Sequence, residues 1–245
     1  MKGVILAGGT GSRLDPLTRI TNKHLLPVYD LPMIYYPIQT LVNAGLTEIM
    51  VVTGGNNAGD FLRLLGNGRE FGLKHLDYTY QEAAGGIAEA LGLTEDFVDG
   101  DKLVLMLGDN IIQGHIGAAV ERFEDQERGA KVLLAEVGNP QSYGVAEIQD
   151  GRIVGIEEKP KRPKSNLVVT GIYLYDAQVF DIVRSLKPSD RGELEITDVN
   201  NAYIQAGQMT FEYLKGWWAD AGESIDFWLR ANNMVKRDGA NHLDL

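Results

Sequence analysis

Short β-rich runs alternate with segments of helical spacing throughout the first half of the chain. The runs cover residues 2–7, 48–53, 76–80, 103–107 and 131–137, and the helical segments cover residues 34–44, 57–65, 87–97 and 116–128. Parallel strands need a long crossover connection, usually a helix, so this alternation predicts a parallel-rich sheet with helices on both faces. We therefore expect an α/β protein with a doubly wound, Rossmann-like sheet.

The second half of the chain follows a different rhythm. Residues 144–149 and 152–157 flank the dipeptide Asp150-Gly151, which predicts a β-hairpin. Strands are expected at residues 167–175 and 209–214, and helices at 177–186, 194–206 and 224–236. The hairpin makes the predicted sheet mixed. Because no repeat, low-complexity tract or linker is visible, we expect one domain over residues 1–245.

Composition excludes several kinds of function. The 245 residues contain no cysteine, which removes disulfides, thiolate nucleophiles and Cys-ligated metals from consideration. The formal net charge of −11 argues against a nucleic-acid partner, since duplex binding needs many Lys and Arg contacts to phosphate. No apolar run approaches the roughly 20 residues that span a bilayer. The first predicted strand begins at residue 2, which does not fit the layout of a signal peptide. We therefore expect a cytoplasmic protein with no membrane partner.

A glycine-rich turn follows the first strand, in the stretch LAGGTGSRL at residues 6–14. A dinucleotide-binding fingerprint would need a third glycine where Leu14 stands, and a Walker P-loop would need a Gly-Lys-Ser/Thr ending. Successive backbone N–H groups in such a turn can still hold a phosphate, and the planar guanidinium of Arg13 can grip two phosphate oxygens. A tight turn without a ligand is the alternative.

Asp109 comes directly after the apolar run LVLML, in LGDN at residues 107–110. The carboxyl ends of parallel strands meet at one edge of a sheet, so Asp109 is expected to face Arg13 and a bound phosphate. A carboxylate there suits Mg²⁺, which binds through one or two carboxylates together with substrate phosphates. The alternative for Asp109 is a helix N-cap. Lys23, which follows the glycine-rich turn, is a second candidate phosphate ligand, and its alternative is a solvated loop position.

Seven motifs in order make the chain resemble the sugar nucleotidyltransferases: LAGGTGSRLDPLT, KHLLPV, LGDN, YGV, EEKP, RGELEITDVN and WWADAG. The similarity extends from residue 2 to about residue 228, and RGELEITDVN is typical of the thymidylyl branch. The resemblance implies transfer of a thymidylyl group from dTTP to glucose 1-phosphate, with release of pyrophosphate. It also implies Mg²⁺ as cofactor and a homo-oligomer.

The resemblance also assigns site residues. Residues 1–137 would mainly bind nucleotide. Residues 138–245 would carry sugar-binding insertions and mainly bind sugar phosphate. Arg13 would hold the leaving pyrophosphate, Lys23 would reach the phosphates and Lys159 would grip the sugar phosphate. The metal pair would be Asp109 and Asp220. The implied nucleotide residues are Gly8, Gly9, Thr10, Gly11, Ser12, Arg13, Gln81 and Gly86, and the implied sugar-phosphate residues are Tyr143, Gly144, Glu158, Lys159, Val169, Thr170, Gly171 and Tyr173.

The chain departs from the family pattern near the base-binding residues. His24 stands where many relatives have Gln, and WADAG replaces the usual WLDTG. Use of UTP or another nucleotide, and a binding module without activity, therefore stay open, although the presence of all five charged motif residues argues against the module. Longer relatives carry a C-terminal regulatory segment, and we expect that this chain, which ends at Leu245, lacks that site or builds it differently.

Overall fold

The computed structural model describes residues 1–241, apart from the side chain of Asn56. The strands are β1 (Lys2–Ala7), β2 (Pro27–Val28), β3 (Leu31–Pro32), β4 (Glu48–Gly54), β5 (His75–Gln81), β6 (Leu103–Leu107), β7 (Asn110–Ile112), β8 (Ala130–Glu136), β9 (Gly144–Gln149), β10 (Arg152–Glu158), β11 (Leu167–Tyr175), β12 (Met209–Tyr213) and β13 (Trp218–Asp220). The helices are α1 (Tyr35–Asn43), α2 (Ala58–Leu65), α3 (Ile87–Gly92), α4 (Glu95–Val98), α5 (Gly117–Glu124), α6 (Gln178–Ser185), α7 (Ile196–Gln205) and α8 (Ile225–Asp238).

The structure contains the predicted mixed sheet, which consists of nine of these strands. Its main path runs β10-β9-β11-β6-β1-β4-β5, and β8 pairs with both β11 and β12. The pairs β1–β4, β1–β6 and β4–β5 are parallel, whereas β11 is antiparallel to β6, β8 and β9. The parallel strands end at one edge, so the turns after β1 and β6 lie side by side there.

Side chains of the central strands alternate between two cores, one on each face of the sheet. In β1, Val4 and Leu6 belong to the core covered by α3, α6 and α7, whereas Ile5 and Ala7 belong to the core covered by α1, α2 and α5. Both faces of β1 are therefore buried, which explains why the strand reads as a continuous apolar run rather than as an alternating one. The predicted helices on both faces are confirmed.

A third, smaller core joins α8 to the short strands. It contains Val28 of β2, Ile111 of β7, Ala219 of β13 and Ala231 of α8. Strands β7 and β13 pair antiparallel, with Asp220 opposite Asn110. This pairing carries the segment after Trp217 back to the edge of the sheet where β6 ends.

The structure corrects several predicted boundaries. The helix expected at residues 87–97 is two helices, α3 and α4, and the Thr94 hydroxyl between them donates to the carbonyl oxygen of Leu91 at 2.7 Å. The helix expected at residues 116–128 ends at Glu124. Strands β2, β3, β7 and β13 were not predicted, because runs of two or three residues are too short to show a period. Within residues 1–241, no helix is both long enough and apolar enough to cross a bilayer.

Candidate active site

A cleft of about 340 Å³ opens where the parallel strands end. Residues of both halves of the chain line it, from the glycine turn after β1 to the segment after β13. The structure brings together most of the predicted site residues there, namely Gly8, Gly9, Arg13, Lys23, Gln81, Gly86, Asp109, Tyr143, Gly144, Glu158, Lys159, Val169, Gly171, Tyr173 and Asp220.

Four predicted residues lie outside the lining of the cleft. Thr10, Gly11 and Ser12 belong to the glycine turn, but only Gly8, Gly9 and Arg13 of that turn line the cleft. The side chain of Thr170 is fully buried, and its hydroxyl donates to the carbonyl oxygen of Leu133 at 2.9 Å. Successive side chains of a strand point to opposite faces of the sheet, so Thr170 of β11 faces away from the cleft that Val169 and Gly171 line.

Lys23 is held in the cleft by a short polar turn. The Asn22 amide donates to the carbonyl oxygen of Ala7 at 3.2 Å, and its Oδ1 accepts the backbone N–H of His24 at 2.9 Å. His24 is almost fully buried, and burial lowers the pKa of its imidazole to about 3. His24 is therefore a neutral part of the packing beneath the turn, which anchors Lys23.

The ammonium of Lys23 contacts Asp109 directly, with Nζ 2.5 Å from Oδ2. Burial opposes the charge on both groups, but their mutual attraction outweighs it. The pKa of Lys23 is consequently raised and the pKa of Asp109 lies well below its usual range. Gly222 packs against this pair so closely that a Cβ there would come within 2.2 Å of Asp109 Oδ2. A side chain at this position would therefore have to displace the ion pair.

Asp220 is the second carboxylate of the site, and it forms no ion pair with any side chain of residues 1–241. Burial in the cleft and the nearby Asp109 charge raise its pKa to about 7, although Lys23 and the Gly222 N–H, which donates to Oδ1 at 3.0 Å, favour the ionised form. Two neighbouring carboxylates repel each other, and a divalent cation bound between them would remove that repulsion. Their oxygen atoms are the type of ligand that Mg²⁺ prefers. Among residues 1–241, no group of three or more His, Asp or Glu could hold a metal.

Asn110 was not predicted, yet it connects the two sides of the cleft. Its Oδ1 accepts the backbone N–H of Gly171 at 3.0 Å and the indole N–H of Trp218 at 2.6 Å. Its Nδ2 donates to Asp109 Oδ1 at 3.1 Å. Trp218 in turn meets Tyr143 edge to face, with ring centroids 5.2 Å apart. The LGDN motif could have indicated Asn110, because it follows the candidate metal ligand directly.

Arg13 pairs with an acidic residue across the cleft. Its Nη1 lies 2.5 Å from Oε2 of Glu223, which follows the WADAG motif. The arginine side chain is 57% exposed, whereas Glu223 is 20% exposed. The exposed guanidinium keeps further N–H groups for an incoming phosphate, since five donors are available and one contact uses a single nitrogen. Glu223 was missed because a lone glutamate in a loop has no sequence signal.

Gln81, at the end of β5, has its amide nitrogen already occupied. Nε2 donates to the carbonyl oxygen of Gly86 at 3.2 Å and to Glu89 Oε2 at 2.5 Å. An amide nitrogen has two hydrogens, so Oε1 is the atom left to accept a hydrogen bond. Gly86 has a φ of 101°, and a Cβ there would come within 2.4 Å of the Leu194 carbonyl oxygen. The glycine lets α3 and the RGELEITDVN segment approach each other.

The EEKP motif places a carboxylate and a cation at the other end of the cleft. Glu158 Oε2 accepts the Thr197 hydroxyl at 2.6 Å, and Oε1 lies 3.8 Å from Lys159 Nζ. Lys159 has a φ of 45°, a conformation that non-glycine residues seldom adopt, and its N–H donates to the Tyr143 carbonyl oxygen at 3.0 Å. Strained backbone of this kind clusters at functional sites.

The segment before α7 contributes a second ion cluster. Arg191 makes two hydrogen bonds to Glu195, Nε to Oε1 at 3.1 Å and Nη2 to Oε2 at 2.7 Å. This contact helps to lower the pKa of Glu195 against the opposing effect of its burial. Arg191, Glu193 and Glu195 line the cleft, whereas Asp198 does not. The RGELEITDVN motif therefore has two roles. Leu194 packs against the hydrophobic core, and charged residues of the motif line the cleft.

Comparison with known proteins identifies the family to which the chain belongs. Residues 2–237 match the Nucleotidyl transferase family. The chain is 48% identical to a glucose-1-phosphate thymidylyltransferase of Actinoplanes sp. over 96% of its length and 78% of the relative, and 47% identical to one of Mycolicibacterium smegmatis over 96% and 82%. A crystal structure described as a glucose-1-phosphate thymidylyltransferase of Bacillus anthracis in complex with sucrose is 54% identical, with a TM-score of 0.93 over 97% of this chain and 96% of that one.

Proposed function

Because the chain belongs to the nucleotidyl transferase family, we infer that it transfers a thymidylyl group from dTTP to glucose 1-phosphate and forms dTDP-glucose and pyrophosphate. The relatives named above carry that activity in their names. The observation that carries the inference is the convergence of Arg13, Lys23, Asp109 and Asp220 on one cleft. These residues come from four separate segments of the chain.

The reaction needs no nucleophile from the protein. An oxygen of the sugar phosphate forms a bond to the α-phosphorus of dTTP. The bond from that phosphorus to the oxygen bridging it to the β-phosphorus breaks, and pyrophosphate leaves with the electron pair. Catalysis of such a displacement consists mainly of aligning the two phosphates and neutralising their charge.

The glycine turn and its basic residues serve the triphosphate in this proposal. Gly8 and Gly9 let the backbone approach the phosphate oxygens closely, and Gly9 has a φ of 91° that suits glycine. Arg13 holds the departing pyrophosphate through its planar fork of donors. Lys23, fixed beside Asp109, neutralises charge at the α-phosphate from the opposite side.

Asp109 and Asp220 are the residues that would hold Mg²⁺. A bound Mg²⁺ supplies a Lewis acid and a template for the phosphate oxygens. The cation would also compensate the charge of Asp220, whose raised pKa reflects burial and the nearby charge of Asp109. Asn110, hydrogen-bonded to Asp109, fixes the orientation of that carboxylate.

The opposite end of the cleft serves the sugar phosphate. Lys159 grips the phosphate, while Glu158, oriented by the Thr197 hydroxyl, accepts hydrogen bonds from sugar hydroxyls. Tyr143, Gly144, Val169, Gly171 and Tyr173 form the walls around them. Residues 1–137 would thus mainly bind nucleotide and residues 138–245 mainly sugar phosphate.

Gln81 Oε1, which accepts no hydrogen bond from the part of the chain that the structure describes, is the group that selects the base in this proposal. A thymine or uracil base carries an N3–H that this oxygen can accept, whereas cytosine presents an acceptor at the same position. The site is therefore built for a pyrimidine of the thymine type. Thymine differs from uracil only by a methyl group, which limits the selectivity between them.

A face of α8 leads us to propose a homo-oligomer as well. Ile225 and Leu229 lie one helical turn apart and are 39% and 52% exposed. Tyr29, also exposed, is tied to the same helix because its N–H donates to Asn232 Oδ1 at 2.6 Å. A second copy of the chain covers these side chains in our proposal, and light scattering of wild type and Leu229→Glu tests it. A cytoplasmic location fits the phosphorylated substrates.

The experiment that tests the function is a set of paired incubations. Wild type with dTTP, glucose 1-phosphate and Mg²⁺ is expected to release pyrophosphate and form dTDP-glucose in equal amounts. Omission of either substrate, or addition of EDTA, should abolish both products. Pyrophosphate without dTDP-glucose would show a hydrolase, and binding of both substrates without turnover would show an inactive module.

A further inference from the structure

Asn200 on α7 is a buried amide with an unused donor at the floor of the cleft. The residue is 1% exposed and lines the cleft together with Ile196 and Thr197 of the same helix. Its Oδ1 accepts the hydroxyl hydrogen of Tyr175 at 2.7 Å. Nδ2 donates no hydrogen bond to any of residues 1–241, and it is not sealed inside the protein. The amide nitrogen therefore opens on the cleft.

Tyr175 is held rigidly enough to fix this orientation. Its ring is fully buried between Tyr173 and Tyr203, with centroid distances of 6.0 Å and 5.8 Å and interplanar angles of 8° and 20°. The Tyr203 hydroxyl donates to Asp176 Oδ1 at 2.7 Å, and Asp176 Oδ2 accepts the Gly129 N–H at 2.5 Å. The Tyr175 hydroxyl thus reaches Asn200 from an anchored stack and keeps Oδ1 turned away from the cleft.

The hydroxyl of Tyr173, the outer member of the stack, is a second polar group of the floor. Tyr173 is 5% exposed and lines the cleft, and its hydroxyl makes no hydrogen bond within the described chain. The walls beside it include the apolar side chains of Ile87, Val169 and Ile196. A few convergent polar groups in an apolar wall are the usual arrangement for orienting a small ligand. A sugar offers hydroxyl oxygens as acceptors for both groups.

We propose that Asn200 is a specificity-determining residue that donates from Nδ2 to one hydroxyl oxygen of the sugar, and that Tyr175 is the positioning residue that fixes the amide. The inference rests on the proposed function, since the ligand is its sugar phosphate. A sugar lacking that hydroxyl leaves the buried amide unpaired, which is how sites of this kind reject an analogue. The pocket therefore selects for a hydroxyl, not only for size.

The test uses Tyr175→Phe and Asn200→Asp with glucose 1-phosphate and its 2-, 3-, 4- and 6-deoxy analogues. Tyr175→Phe keeps the ring stack and removes the hydroxyl, while Asn200→Asp keeps the size and removes the donor. Wild type should lose at least about tenfold in kcat/KM with one deoxy analogue. With glucose 1-phosphate, both variants should show a similar loss in kcat/KM, caused by a higher KM for the sugar phosphate. Replacing glucose 1-phosphate by that deoxy analogue should then lower the kcat/KM of the variants only slightly further. KM for dTTP should stay unchanged.

Tyr203→Phe is the matched control, because it removes a hydroxyl from the same stack that contacts Asp176 instead of Asn200. It should lower the melting temperature and leave the ranking of the deoxy analogues as in wild type. The inference about Asn200 would be wrong if both test variants lost the same factor in kcat/KM with every analogue. It would also be wrong if the variants kept the wild-type KM for glucose 1-phosphate. Neither result would affect the proposed function. A wild type that turns over no sugar 1-phosphate would overturn the proposed function and this inference with it.

Discussion

Lys23 Nζ lies 2.5 Å from Asp109 Oδ2 at the edge where β1 and β6 end, and only 19% and 10% of the two side chains are exposed. The two residues come from different loops, so their ion pair joins the glycine-turn side of the cleft to the metal side. Removal of one member of a buried pair leaves the other charge without compensation. The pair is therefore a structural element of the cleft, whatever further role its two groups have in the proposed reaction.

Lys23→Met is expected to destabilise the protein by about 3–5 kcal/mol, because it leaves the Asp109 carboxylate buried and unpaired. Thermal unfolding measures the effect. Added Mg²⁺ should recover more of the loss in the variant than it stabilises wild type, since a cation can take the place of the ammonium. Lys161→Met, at an exposed position, serves as control and should change little. Equal stability of both variants would contradict the buried pair.

Asp220 should make stability depend on pH. Its folded pKa of about 7 lies above the unfolded value of 3.8, so the neutral carboxyl favours folding. That contribution is complete below about pH 4 and is lost as the pH rises through about 7. In EDTA, Asp220→Asn should therefore be more stable than wild type at pH 8, by about 1–3 kcal/mol, and similar to it at pH 4. A difference that does not change between these pH values would contradict the assigned pKa.

The same substitution has the opposite effect on turnover. Asp109→Asn and Asp220→Asn should each reduce kcat by at least about a hundredfold at saturating Mg²⁺, because each removes a preorganised charge that supports phosphoryl transfer. Steady-state release of pyrophosphate measures the loss. Full activity of either variant would exclude that residue from the metal site.

Arg13→Lys should lower kcat more than it raises KM for dTTP. Lysine keeps the charge but loses the planar fork that can hold the leaving pyrophosphate as its charge develops. A change in KM alone would show that Arg13 binds substrate and transition state equally. Glu223→Gln is the control, because it removes the competing ion pair and leaves the guanidinium intact. It should keep kcat and lower KM for dTTP.

The sequence could predict those parts of the fold and site that rest on long periods or on contiguous motifs. The strand at residues 2–7 and the hairpin around Asp150-Gly151 lie where their patterns placed them. Strands β7 and β13 could not be predicted, since three residues show no period, yet their pairing sets Asp220 opposite Asn110. Asp109 and Asp220 were therefore grouped by family resemblance, and the structure supplies the physical reason.

Side-chain hydrogen bonds between distant segments could also not be predicted from the sequence. Gln81 was expected to bind the nucleotide, but residue type could not show that Glu89 and the Gly86 carbonyl take both hydrogens of its amide nitrogen. Thr170 was expected in the sugar pocket, and its hydroxyl instead donates to Leu133 within the sheet. Such contacts depend on which way a side chain turns, and residue type alone does not fix that.

The most direct test of the account is a comparison of kcat/KM for dTTP, dUTP, UTP, CTP, ATP and GTP with glucose 1-phosphate. We predict the highest value for dTTP, with dUTP lower by no more than about 200-fold because one methyl group distinguishes the two bases. The pair dUTP and UTP isolates the effect of the 2′-hydroxyl. CTP should be weak because its N3 cannot donate to Gln81 Oε1, and ATP and GTP should be weak because of their size. A clear preference for CTP or for a purine triphosphate would contradict the account.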